Sequence, residues 1–246
     1  MPYTEPKIET SEQERDKLSI PVDVIVPFYN EPNAHIVIRR LLELPFVEKI
    51  FVVNDCSTDG SERKVESLAG NNERVVYIKN EVNLGKAEAV KRAIPLVDSP
   101  YTVLQDADLE YPVENIPKLW EMLPDYDMVV AKRFVPIDQV TFSGVIANRL
   151  ITTIMGYPDV FSGQRIVKTE FLQSIDIGSH FTMETIILLE AIRANLNILW
   201  VNSLYYPRGY KEGKKVKPWH MINILLTLFK YKLFARRSGN VSVSVG

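Results

Sequence analysis

Residues 101–110 read Tyr-Thr-Val-Leu-Gln-Asp-Ala-Asp-Leu-Glu, so an apolar run, Tyr101 to Leu104, passes directly into acids at alternating positions. A short, uninterrupted apolar run suits a strand buried on both faces. In extended backbone the alternation points Asp106, Asp108 and Glu110 the same way. Hard oxygen ligands so arranged suit Mg²⁺ or Mn²⁺, ions that keep waters and also bind substrate phosphates. The competing reading of this stretch is a solvated acidic turn.

Outward from this stretch, similar runs recur at Val22 to Val26, Ile50 to Val53, Arg74 to Ile78 and Met128 to Ala131, and the Arg74 run is the least apolar. Between them, Ala34 to Leu44, Ser61 to Ala69, Lys86 to Val97 and Glu114 to Leu123 read as helices. Strand alternating with helix predicts an α/β fold with a largely parallel central sheet flanked by helices. Right-handed crossovers then gather the strand C-termini on one edge, where ligands of open sheets bind. Beyond Lys132 and Arg133 the periodicity weakens; a helix, Phe181 to Ala194, and a strand, Ile198 to Val201, follow. Trp120 and Trp200 sit in apolar runs and are expected in the core.

Composition agrees with this class. The 246 residues are 46% hydrophobic and 24% charged with 11 glycines, which excludes collagenous, fibrous and wholly disordered chains. One cysteine, Cys56, excludes an intrachain disulfide framework and a CxxC zinc site, and makes the reducing cytoplasm the default compartment. His35, His180 and His220 share no spacing and read as structural. No GxGxxG follows a strand, and Gly85-Lys86 fails as a phosphate loop because Asn80 and Ala87 stand where Gly and Ser/Thr are needed. Among the remaining loops, Asp55 in Asn54 to Gly60 is placed to accept a hydrogen bond from a nucleobase imino group, while Ser57, Thr58 or Asp59 is placed to cap the next helix. Residues 27–32, Pro-Phe-Tyr-Asn-Glu-Pro, offer an aromatic face and a carboxylate to the same base, or form only a Pro-rich turn.

Taken in order, PFYNE (27–31), NDCSTDG (54–60), NLGKAEAVKRA (83–93), DADLEYP (106–112) and AKR (131–133) resemble the family 2 glycosyltransferases of GT-A fold, and within them the dolichol-phosphate mannose synthase and polyprenyl-phosphate branch. The resemblance covers about residues 20 to 220. It implies that Pro27, Tyr29, Glu31 and Asp55 line the nucleobase pocket. Asp106 and Asp108 would bind the metal and donor pyrophosphate, with Glu110 as a further ligand. Lys86 would lie near the phosphates, and Arg133, and with it Arg149, would meet donor or acceptor phosphate. Ser162-Gly163-Gln164-Arg165 resembles a short element of the branch, Met183-Glu184 its acidic helix start near the acceptor, and Arg208-Gly209 with Gly213-Lys214-Lys215 its basic loop. Asn54 replaces a common Asp, the basic loop is longer than usual, and the QxxRW element of processive synthases is absent, which speaks against chain polymerisation.

The implied reaction is a metal-dependent, inverting transfer from a GDP-mannose or UDP-glucose type donor to a polyprenyl or dolichyl phosphate. Its rivals are transfer to a sugar hydroxyl, with Asp159 or Glu184 as base, and a non-catalytic nucleotide-sugar module. Net charge is only -2, yet residues 205–237 hold nine Lys/Arg against one acid, leaving +8 there and -10 elsewhere. Within it, Ile222, Leu225, Leu226, Phe229 and Leu233 share one helical face. That predicts a basic amphipathic helix over 218–237 on an anionic membrane surface or membrane partner, or else packed on the domain or a homodimer partner. The remaining boundaries are an N-terminal tail, 1–19, without a signal peptide; a catalytic domain, 20–217; and a tail, 238–246. The expected location is the cytoplasmic face of a membrane, with no nucleic-acid partner.

Overall fold

Seven consecutive buried residues, Val22–Phe28, form strand β1, and such a strand must be covered on both faces. A computed structural model describes residues 20–134, 156–178, 182–208 and 243–245. In chain order its elements are β1, α1 (Ala34–Leu42), β2 (Val47–Asn54), α2 (Ser61–Gly70), β3 (Val75–Lys79), α3 (Lys86–Ala93), β4 (Tyr101–Leu104), α4 (Ile116–Trp120), β5 (Met128–Phe134), β6 (Arg165–Lys168), α5 (Thr169–Ser174), α6 (Met183–Arg193), β7 (Ile198–Leu204) and β8 (Val243–Val245).

They build one eight-stranded sheet of order β3-β2-β1-β4-β6-β5-β7-β8. Every pairing is parallel except those of β6, which runs antiparallel to β4 and to β5. The pleat divides the core. Val22, Val24 and Val26 face α1 and α4, while Ile25 and the β2 residues Phe51 and Val53 face α3 and α6. On α1, Ala34, Val37, Ile38 and Leu41 repeat at helical spacing and are all buried. Each fully buried aliphatic side chain of this kind stabilises the fold by roughly 1.5–3 kcal/mol. Trp120 and Trp200 are both buried, as expected. The polar Arg74 run is the edge strand β3, whose outer side needs no apolar cover.

Three differences from expectation have local causes. Helices α1 and α3 end earlier than the apolar pattern, because Pro45 disfavours a helical Leu44 and Pro95, lacking an N–H, turns residues 94–96 into a 3₁₀ segment. Strand β6 carries only two apolar residues between Arg165 and Lys168, too little for a periodicity to register. Residues 243–245, within the segment expected as a tail, pair with β7 and lengthen the sheet. The expected helix 218–237, the tail 1–19, Arg149, Lys214, His180 and His220 lie outside the described residues.

Candidate active site

The parallel strands β1, β2, β4, β5 and β7 all end on one edge, and antiparallel β6 begins there. Leu104 is therefore paired with Arg165, which brings residues 162–165 against the acidic loop after β4. Beyond Asp106 that loop is not extended. Leu109 has φ 63°, and the Glu110 N–H donates to Asp108 Oδ1 at 3.1 Å, so the carboxylates are gathered by a turn and not by strand alternation.

Two cations each bridge a pair of the acids. Lys86, at the first turn of α3, places Nζ 2.5 Å from Asp106 Oδ1 and 2.6 Å from Glu184 Oε1 at the start of α6. Removal from water works against its charge, but Asp106 and Glu184 outweigh that and hold Lys86 above its ordinary pKa. Arg208, four residues beyond β7, donates to Asp108 Oδ2 and to Glu31 Oε2 at 2.8 Å each. Burial, followed by the charges of Asp106 and Glu110, pushes the Asp108 carboxyl up to about 7 despite Arg208.

Asp55 is 3% exposed. Its Oδ1 accepts from Asn80 Nδ2 at 2.7 Å and from the Leu84 N–H at 2.9 Å; its Oδ2 accepts from the Gly85 N–H at 2.7 Å. Asp55 thus folds the loop that delivers Lys86. The neighbouring loops are tied together through Asn30, whose N–H donates to Ser57 Oγ at 3.0 Å and whose Oδ1 accepts from the Thr58 N–H at 2.8 Å. The N-cap of α2 is Gly60, which carries no side-chain cap; of the alternatives Ser57, Thr58 and Asp59, it is Asp59 that accepts the N–H of the first helical residue, Ser61, at 3.0 Å. Tyr29 is half-buried at the end of β1, whereas Pro27 is buried within the strand, opposite Val53.

Arg133, at the end of β5, makes a bidentate pair with buried Asp159, with Nη2 2.6 Å from Oδ1 and Nε 2.9 Å from Oδ2. Although burial opposes the charge, Asp159 holds Arg133 well above its ordinary pKa. Tyr205 stacks under this guanidinium, 5.4 Å from ring centroid to Cζ, and its hydroxyl donates to Glu110 Oε2 at 2.6 Å. Glu110 Oε1 accepts the Arg208 N–H at 3.0 Å. Both oxygens of Glu110, expected on a metal, therefore hold protein groups.

Sequence reasoning missed the support beneath these residues. Gln164 Nε2 donates to Gln105 Oε1 at 2.6 Å, Gln164 Oε1 accepts from Asn115 Nδ2 at 2.9 Å, and Gln105 Nε2 donates to the Asp106 carbonyl at 2.9 Å. All three amides are buried. Arg165, also buried, donates to the carbonyls of Ser162 and Glu184, joining β6 to the start of α6. At Gly163 a Cβ atom would collide with Asp106 Oδ2 and stand 3.6 Å from Lys86 Nζ, so any larger residue there requires the aspartate to shift. No periodicity encodes such contacts; the one available signal was the Ser-Gly-Gln-Arg segment itself. A separate recess of about 380 Å³, lined by Asp98, Ser99, Tyr101, Lys168 and Glu170, opens at the opposite edge and shares none of these residues.

An open α/β sheet with an acidic turn and basic side chains on its carboxyl edge is the layout of a nucleotide-sugar transferase, and the comparisons agree. Residues 23–183 match the family described as Glycosyl transferase family 2, and the chain belongs to that family; it is a family 2 glycosyltransferase with the GT-A fold. It is 35% identical over 127 residues to the dolichol-phosphate mannosyltransferase of Saccharomyces cerevisiae, covering 48% of this chain and 47% of that one. It is 32% identical over 118 residues to the bactoprenol glucosyl transferase of Shigella phage SfX, covering 46% of this chain and 39% of that one. An uncharacterized protein of Methanocaldococcus jannaschii is 30% identical over 213 residues, 78% of this chain and 93% of that one. The glucosyl-3-phosphoglycerate synthase of Mycobacterium tuberculosis, solved with Mn²⁺, UDP and glucosyl-3-phosphoglycerate, superposes with a TM-score of 0.66 at 17% identity over 94% of this chain and 86% of that one.

Proposed function

We propose that the chain transfers a hexose, with inversion, from a GDP-mannose or UDP-glucose type donor to a polyprenyl phosphate. The observation that carries this is the edge itself: the acidic turn of Asp106 and Asp108 faces the loops of Glu31 and Asp55 across Arg208, in a chain whose relatives are named for polyprenyl acceptors. The chain spans about half the length of the yeast relative and less of the phage one, so acceptor and donor are assigned here by chemistry.

A hard divalent cation, Mg²⁺ or Mn²⁺, suits the site, because among the described residues the carboxylates of Glu31, Asp106, Asp108, Glu110 and Glu184 gather there around only Lys86 and Arg208. Such an ion takes one or two carboxylates, here Asp106 and Asp108, and would complete its shell with waters and donor phosphates. Once bound, the ion supplies Lewis-acid stabilisation of the nucleoside diphosphate leaving group. Glu110 is assigned to supporting Tyr205 and Arg208.

The chain's own groups do the rest. Asp55 Oδ2 accepts one protein hydrogen bond and has lone-pair capacity left for a base N–H, and Glu31 and Tyr29 are assigned to the same base. Lys86 and Arg133 supply positive charge on this edge for the phosphates, and the sequence resemblance assigns Arg149 and Lys214, outside the described residues, the same role. A prenyl phosphate oxygen is ionised near neutral pH and needs no strong base. The two carboxylates suited to deprotonate a hydroxyl, Asp159 and Glu184, are committed to Arg133 and Lys86, which favours the phosphate acceptor. Among the described residues no helix is long and apolar enough to cross a membrane; the basic C-terminal segment is proposed to hold the enzyme on the cytoplasmic face. The test incubates purified protein and Mn²⁺ with a panel of GDP- and UDP-sugars, offering a short prenyl phosphate and free sugars as acceptors. Prenyl-phosphate hexose is the expected product, and glycosylation of hydroxyl acceptors alone would refute the assignment.

A further inference from the structure

Two arginines on this edge are held in different ways. Arg133 grips one carboxylate through both oxygens, and its backbone N–H donates to the same Asp159 at 2.9 Å. Arg208 is divided. Nη1 goes to Glu31 Oε2, Nη2 to Asp108 Oδ2, each at 2.8 Å, while Nε, buried, makes no hydrogen bond among the described residues and stands 3.7 Å from Glu110 Oε1. Bidentate pairing gives an Arg–carboxylate contact its strength and geometric specificity, and Arg208 has it with none of its three acids. Lys86, which neutralises Asp106, extends from a helix whose Ala87, Ala89 and Val90 are buried in the core. Arg208 lies beyond the last β7 residue, anchored by its own N–H to Glu110.

Resting on the reading that Asp106 and Asp108 hold the cation, we infer that Arg208 is the resident counter-ion of that site and must leave Asp108 for a divalent cation to bind. Arg208 occupies one of the two Asp108 oxygens that would serve the ion, and two cations a few ångströms apart in a partly dry site repel. Glu31, released at the same time, gains its free oxygen on the nucleobase side. Donor and metal therefore draw on the same displaced side chain, so each favours the other's binding.

The test titrates Mn²⁺ into metal-free full-length protein without nucleotide, following free Mn²⁺ by electron paramagnetic resonance. Arg208→Gln is expected to bind Mn²⁺ on the order of tenfold more tightly than wild type, the scale of one partly buried ion pair. Its melting temperature should fall in EDTA and recover with Mn²⁺. Arg133→Gln removes the same charge from the same edge without freeing Asp108 and should tighten Mn²⁺ far less; equal tightening would reduce the effect to net charge and overturn the inference. Unchanged or weaker binding in Arg208→Gln, with binding lost in Asp108→Asn, would overturn it while leaving the cation site standing. Full Mn²⁺ binding by Asp108→Asn would remove the site and the inference together. Should Arg208→Gln not fold, Arg208→Lys answers the same question: a lysine lacks the forked guanidinium whose two separate nitrogens reach Glu31 and Asp108, so its hold on Asp108 is weaker and a smaller tightening in the same direction is expected.

Discussion

At the scale of single residues, the chemistry depends on how few atoms stand between Asp106 and its surroundings. Lys86 approaches it from α3 and Gly163 from the turn before β6. Asp106→Asn or Asp108→Asn removes the charge that would hold a cation, and turnover should collapse. Activity that persists in EDTA would contradict this. Gly163→Ala is a subtler probe. The added methyl occupies the position of Asp106 Oδ2, and the carboxylate must move by about an ångström; a displacement of that size can cost on the order of a hundredfold in rate. We expect kcat/KM to fall on that scale while the circular dichroism spectrum stays unchanged.

Among the elements, β6 has the largest influence relative to its length. Its antiparallel course carries Ser162 to Arg165 onto an edge otherwise made by strand ends, and its far end is pinned by Asp127. That residue's Oδ1 lies 2.7 Å from Lys168 Nζ, and Oδ2 accepts the Asn197 N–H at 2.8 Å, so β5, β6 and the start of β7 meet there. Partial burial works against the charged form, but Lys168 and the Asn197 amide outweigh it and hold the Asp127 carboxyl below its usual range. A lowered folded-state pKa stabilises above the unfolded value of about 4 and loses that contribution as pH falls through the folded value. Because the pair is partly exposed, its share is on the order of 1 kcal/mol. Urea midpoints of wild type and Asp127→Asn should therefore differ at pH 7 and converge in strong acid. A constant difference at every pH would show that the amide hydrogen bond alone matters.

For the whole molecule the question is where the acceptor is met. The net charge of +8 over residues 205–237 is a property of the sequence, and at an anionic surface each Lys or Arg contributes on the order of 1 kcal/mol, screened by salt. Changing Lys230, Lys232, Arg236 and Arg237 together to Gln should weaken binding to anionic liposomes strongly at low salt and little at high salt. Turnover on a water-soluble prenyl phosphate should survive, since the acidic turn is untouched. Equal liposome binding by wild type and variant at low salt would point to a helix packed within the protein.

The sequence by itself determined the parallel α/β sheet, the edge that carries the loops, and the family, because buried strands must be apolar throughout and because PFYNE, NDCSTDG and DADLEYP occur in a particular order. Only the tertiary structure decided which groups meet. Lys86 with Glu184 are 98 residues apart, and Arg208 with Glu31 177 apart. Local periodicity is blind at that separation. The same holds for β6: four residues too polar to announce a strand become one through the neighbours they pair with, and with them come the glycine that admits Asp106 and the buried amides that hold its loop.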